Sequence, residues 1–185
     1  HIVWHIPPRR TPDHYALEIL TAVLGAGESS RLYQELVKTR EIASSIEVET
    51  EDRRGPDLLA VWCVLAQGHT GAEAREVIYR QLDDIARNGI TARELDKARN
   101  QYRTAFVFGI QSNMSRARRL AEYELYDGNA ALLRTELDRY LAVTPADVQR
   151  VAREYFRAEN RTVLDVLTAS APTPAAAPAA GSPAR

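Results

Sequence analysis

The first residues alternate, with Ile2, Trp4 and Ile6 on one face, which predicts a strand that Pro7-Pro8 ends. Thr11-Pro12-Asp13 then reads as a helix start with Pro at an early helical position. Behind it Ala16, Leu17, Ile19, Leu20, Val23 and Leu24 recur at helical spacing up to Gly25, and Gly25 and Gly27 turn the chain. Ser29 or Ser30 is expected to cap a short helix through about Arg40, with Leu32, Tyr33 and Leu36 as its buried stripe. Ile42 to Glu49 alternates as a half-exposed strand. Arg53-Arg54-Gly55-Pro56 is a turn, and Leu58 to Ala66 is apolar on both faces, the pattern of a central strand covered on both sides.

After Gly68 the pattern turns helical for most of the remaining chain. Ala74, Val77, Ile78, Leu82 and Ile85 form one stripe, closed by Asn88-Gly89. Thr91 and Glu94 have the spacing of a capping box, in which each side chain satisfies a free amide of the other. Ser112 or Asn113 starts another helix, Asp127-Gly128-Asn129 breaks it, and Leu133, Leu137 and Leu141 continue the stripe. Thr144 caps a last helix with Val148, Val151, Ala152 and Tyr155, before a strand over Arg161 to Thr168. Strands framing a block of helices predict an α+β domain over residues 1–168. The Ala/Pro/Ser-rich stretch "ASAPTPAAAPAAGSPAR" predicts a disordered tail over 169–185.

Composition narrows the function classes. The 185 residues are 45% hydrophobic, enough for one core, and carry a formal net charge of −1, so no basic surface argues for nucleic acid. No apolar run approaches the roughly 20 residues of a membrane span. The single cysteine, Cys63, excludes an internal disulfide and a cysteine-based zinc site. The chain opens at His1 without Met and inside a strand pattern, which predicts a piece of a longer polypeptide. Periplasm and cytoplasm both remain open as compartments.

The chemistry-bearing residues are sparse. His1 and His5 stand on one strand, and at roughly 3.3 Å per residue they are about 13 Å apart, too far for one zinc ion. His14 and His69 have no partner at metal spacing, and no helical His-x-x-Glu-His pair is present, so neither a metal site nor a catalytic centre is expected in this chain. Gly27-Glu28-Ser29-Ser30 is not a nucleophile elbow, and Gly25-x-Gly27 is too short for a dinucleotide loop. Asp83, Asp84, Glu94 and Asp96 alternate with arginines, which reads as a solvated helix face. Tyr102, Phe106, Tyr123 and Tyr126 fall at helical spacing and read as packing.

The order of elements and two stretches carry a resemblance. "DHYALEILTAVLGAGESSRLYQELVKTREIASSI" and "RYLAVTPADVQRVAREYF" are similar to the C-terminal-type, non-zinc domain of the pitrilysin/insulinase family of zinc metallopeptidases, over about Ile2 to Leu167. The resemblance implies a mixed, mainly antiparallel sheet covered by helices. It implies a clamshell in which an N-terminal half or partner subunit holds the zinc and this half forms the opposite wall around an unfolded peptide. Zinc is then expected in the parent protein or partner, with no cofactor in this chain. Ser29, Ser30, Arg31 and Leu32 match the family's Ser-Ser-Arg-Leu. The family's substrate-binding arginine falls on Val37 and its tyrosine, seven residues on, falls on Ser44; both are substituted. Arg40 is the candidate substitute contact. These substitutions favour the alternative of a non-catalytic structural or partner subunit of the same fold.

Overall fold

In the computed structural model, which describes residues 1–167, the strands form one antiparallel sheet. β1 (Ile2–Ile6) lies between β3 (Asp57–Leu65) and β4 (Arg161–Val163), and β2 (Ala43–Thr50) is the edge beyond β3. The register sets Trp4 opposite Leu59 and Ile2 opposite Val61. Because side chains alternate across a strand, all four of these point to one face, and all four are buried. The tail expected over 169–185 lies outside the described residues.

That face is roofed by helices. α1 (Pro12–Gly25) packs on β2, and α2 (Gly71–Asn88) packs on α6 (Pro145–Tyr155), which in turn packs on α1. α3 (Ala92–Gly109) and α5 (Leu132–Ala142) flank α1, with α4 (Asn113–Asp127) outside them against α5. The starts follow the sequence signals. Thr11 caps α1, Thr91–Glu94 and Thr144–Asp147 form capping boxes, and Ser112 caps α4. A further box, Thr70–Glu73, opens α2, where the turn residues Gly68-His69 hide the start in the sequence. Gly89 and Gly128 end their helices at φ 77° and 63°, the left-handed region open to glycine.

Three expectations are corrected. β3 is not covered on both sides: Leu59 and Val61 are buried, but Trp62 and Val64 are 46% and 59% exposed, because α1, α2 and α6 all lie on the other face. The last strand ends at Val163, well short of Thr168, since Asp165 leaves the sheet to pair with Arg75 of α2. In α5 the buried residue is Glu136, while Leu133, Leu137 and Leu141 are half-buried.

Candidate functional site

The segment that carries Val37 and Ser44 is held in place by close backbone approach and one arginine. A Cβ on Gly25 would stand 2.6 Å from the Val48 side chain, so glycine lets the end of α1 lie directly on β2. Gly27, at φ 76°, turns the chain. Ser30 does not cap the next helix with its side chain: it is buried and its hydroxyl has no partner, while its carbonyl accepts the Gln34 amide at 3.0 Å. Arg31 instead anchors the segment. Its Nε and Nη2 donate to the Glu94 carboxylate at 2.6 and 3.0 Å, and Nη1 donates to Asp84 Oδ2 at 2.7 Å. Asp84 and Glu94, expected on a solvated face, thus hold the α2–α3 corner to this segment.

Leu32 and Leu36 are fully buried, and Tyr33 is half-buried. The helix between Tyr33 and Thr39 is wound as a π-helix, not the α-helix the spacing predicts; the Arg40 amide accordingly bonds the Glu35 carbonyl five residues back, at 3.1 Å. Such a wide turn brings residues five apart almost above one another, so Arg40 Nε donates to Glu35 Oε2 at 3.2 Å. Arg80 of α2 adds a second cation 3.6 Å from the same oxygen. Arg40 is exposed but tied to Glu35.

Val37 is half-buried against the core. Ser44 is exposed and sits in a β-bulge, where Ala43 pairs with Leu65 and Ser45 already pairs with Val64. The extra residue breaks the alternation expected from Ile42 to Glu49, leaving Ile42 and Ala43 both buried. Ser44 Oγ donates to the Val64 carbonyl at 3.2 Å. Val37 therefore packs on the core from the π-helix, and Ser44 is bonded to its own neighbour strand.

A buried polar network at the start of α1 is almost invisible in the pattern of residues. Arg10, at φ 64°, donates to Glu136 at 3.2 Å and to Asp127 at 2.7 Å, and Tyr15 donates to Glu136 at 3.3 Å. Burial and the Glu136 charge push the Tyr15 hydroxyl well above its usual range. The one available signal was Glu136 standing four residues before Tyr140, on the inward stripe of α5. Glu18 likewise accepts from Thr50 and, at 2.5 Å, from Tyr102, whose hydroxyl is pushed up by burial.

Among the described residues no serine, threonine or cysteine side chain is hydrogen-bonded to a histidine ring. Among the described residues no group of three or more His, Cys, Asp or Glu is placed to hold a metal ion, and His1 and His5 lie on the sheet face turned away from the helices. The donor set does not fit zinc. No helix among the described residues is long and apolar enough to cross a membrane.

Comparison with known proteins places this architecture. An uncharacterized zinc protease of Streptomyces coelicolor is 30% identical over 158 residues, covering 83% of this chain and 34% of the relative. An uncharacterized zinc protease of Mycobacterium tuberculosis is 32% identical over 147 residues, covering 80% and 33%. The chain thus spans about a third of the length of these bacterial relatives. Among solved structures, an inactive peptidase domain from Bordetella parapertussis superposes with a TM-score of 0.81 at 27% identity, covering 93% of both chains. Residues 1–102 match the model of the peptidase M16 inactive domain, and the chain belongs to that family.

Proposed function

We propose that this domain is the non-zinc half of a clamshell metallopeptidase, enclosing and binding an unfolded peptide that a zinc site on another domain or subunit cleaves. The observation that carries the reading is the contrast in length and name: relatives about three times as long are called zinc proteases, while this chain matches the inactive domain alone. Zinc would polarise the scissile carbonyl from the other half. The residues of this chain would bind and orient the peptide along the corner formed by the end of the π-helix and the start of β2.

A second reading, a partner subunit with no peptidase role of its own, draws on the same corner. Val37 has no donor, and the Ser44 hydroxyl is already bonded to Val64. The two readings separate in a peptidase assay of the full-length parent on a quenched, unstructured peptide, with and without a zinc chelator. Chelator-sensitive cleavage supports the first. A folded parent that cleaves nothing supports the second, and its neighbour gene's product is then added to the same assay.

A further inference from the structure

At the edge of the sheet farthest from β2, a groove of about 570 Å³ runs between α2 and the chain that leaves α6 for β4. Its floor is apolar. Leu82 and Ala152 are buried, and Phe156 is half-buried, edge-on to Trp4 at a centroid distance of 5.0 Å. A single 3₁₀ turn, Ala158–Asn160, forms one bank. Asn160 pins this turn by donating to the His5 carbonyl at 2.9 Å and to the Tyr155 carbonyl at 2.7 Å. The residues on either side of it, Arg157 and Arg161, are therefore held at fixed places on the rim.

Arg153 joins them as a third arginine lining the groove. Among the described residues none of the three forms an ion pair; the arginines of α2 and α6 that do so are Arg75, Arg80, Arg87 and Arg150. Arg153 spends its Nε on the Ala86 carbonyl at 2.5 Å, where it answers the carbonyl end of α2, and keeps both Nη nitrogens for a ligand. Arg161 lies over the Tyr79 ring at 4.1 Å, which fixes its guanidinium plane and leaves its N–H edge open. Arg157 is exposed. Of the two acids on the rim, Asp83 is 3.5 Å from Arg87, so Glu159 is the one that offsets the three arginines.

We propose that this groove binds an acidic peptide segment of a partner protein, one that carries an apolar side chain beside its carboxylates. Guanidinium forks match carboxylates two bonds at a time, and the floor of Leu82, Ala152 and Phe156 takes the apolar side chain. Three cations spread along a groove suit a run of charges better than one small anion, and a recessed floor disfavours a flat lipid surface. Residues 168–185 of this chain hold no Asp or Glu, so they do not supply the acidic side chains. The groove lies at the opposite edge of the sheet from Ser44, and the inference is independent of the peptidase reading.

The test titrates this chain with fluorescent, unstructured peptides that differ only in a central Glu-Leu-Glu, Gln-Leu-Gln or Glu-Ser-Glu, and locates the bound peptide by amide exchange. The Glu-Leu-Glu peptide is expected to bind about tenfold tighter than either of the others and to protect amides over 156–161 while leaving 43–50 unchanged. Arg157→Glu should weaken the Glu-Leu-Glu peptide about tenfold and leave the Gln-Leu-Gln peptide as it was. Arg134→Glu makes the same change of net charge on α5 and should leave all three affinities within about twofold. Both positions are exposed, so neither variant removes core. No binding, equal binding of the Glu-Leu-Glu and Gln-Leu-Gln peptides, or an equal loss in Arg134→Glu overturns the groove. So does protection of 43–50 in place of 156–161, which would assign the peptide to the Ser44 corner. A short oligothymidylate that binds as tightly as the Glu-Leu-Glu peptide would overturn the choice of a peptide.

Discussion

Arg31 and Glu94, 63 residues apart in the chain, meet in a two-point ion pair of 2.6 and 3.0 Å. The same carboxylate closes the capping box of α3 by accepting the Thr91 amide and hydroxyl, both at 2.8 Å. Glu94 is therefore fixed before Arg31 arrives, and little side-chain freedom is lost in forming the pair. Through it, the Ser-Ser-Arg-Leu motif acts as a clamp between the segment that carries Val37 and the corner between α2 and α3. Arg31→Met should cost about 2–3 kcal/mol, because it leaves two partly buried carboxylates facing each other. Urea unfolding of the variant checks this; a loss below about 0.5 kcal/mol would place the pair with ordinary solvent-screened surface pairs.

The pair also sets an acid limit. Burial alone would raise the Glu94 carboxyl, but Arg31 and the Thr91 cap outweigh it and bring it from 4.5 down to about 2. A depressed folded value means that the unfolded chain binds the proton first as pH falls. The contribution is therefore complete above about pH 4.5 and is lost between there and about pH 2. Unfolding free energy measured across that window should fall more steeply in the native chain than in Glu94→Gln. Parallel curves would assign the acid sensitivity to other carboxylates.

The clamp shows where sequence reading reaches and where it stops. Caps and glycine stops are local events within four residues, so Thr91, Thr144, Gly89 and Gly128 were legible from their neighbours alone. The partners of Arg31 are not local, and an acid on a helix looks the same in sequence whether it faces water or another element. The apolar second face of β3 misled for a related reason. Trp62 and Val64 are apolar without being covered by this chain, so periodicity reported hydrophobicity and not burial. The positions of Val37 and Ser44 came only with the family motif. Their surroundings, a π-wound turn and a bulge, leave no periodic signature.

Gly25 is held by contact and not by backbone conformation. Ala in its place would drive a Cβ to 2.6 Å from two Val48 atoms in a strand paired with β3, so one element must shift. Gly25→Ala should lower stability by about 1–3 kcal/mol, the range of overpacked sites. Thermal unfolding measures it, and Gly25→Ala with Val48→Ala should recover most of the loss.

Glu136 ties the outer helices to the entry of α1. It is 6% exposed and accepts from both Arg10 and Tyr15. Glu136→Leu removes the acceptor and leaves Arg10 with Asp127 as its remaining hydrogen-bonded partner. A destabilisation of about 2–4 kcal/mol is expected, with amide exchange rising first in α4 and α5. Uniform exchange changes across the sheet would show instead that the network supports the whole fold.

The corner itself is tested by restoring what the family motif places there. Ser44 is exposed at a bulge, so Ser44→Tyr needs no repacking, and the longer side chain carries its hydroxyl away from the Val64 carbonyl. Val37 is half-buried, and Val37→Arg must lift its guanidinium past the rim of the core, which long aliphatic stems allow. In the zinc-loaded parent, the two donors together should raise kcat/KM by about 10- to 100-fold, less than the roughly 100- to 1,000-fold that one well-aimed donor to a developing oxyanion supplies, because neither new side chain is held in place by packing. The gain should fall mainly in kcat if the donors meet the transition state, and in KM if they only hold the peptide. Arg40→Gln in the native parent supplies the complement: reduced cleavage would mean that Arg40 leaves Glu35 to meet substrate. If the double variant is folded and zinc-loaded yet gains nothing, this wall does not touch the reacting peptide. The Ser44–Val64 bond would then be simply how the bulge satisfies its own sheet.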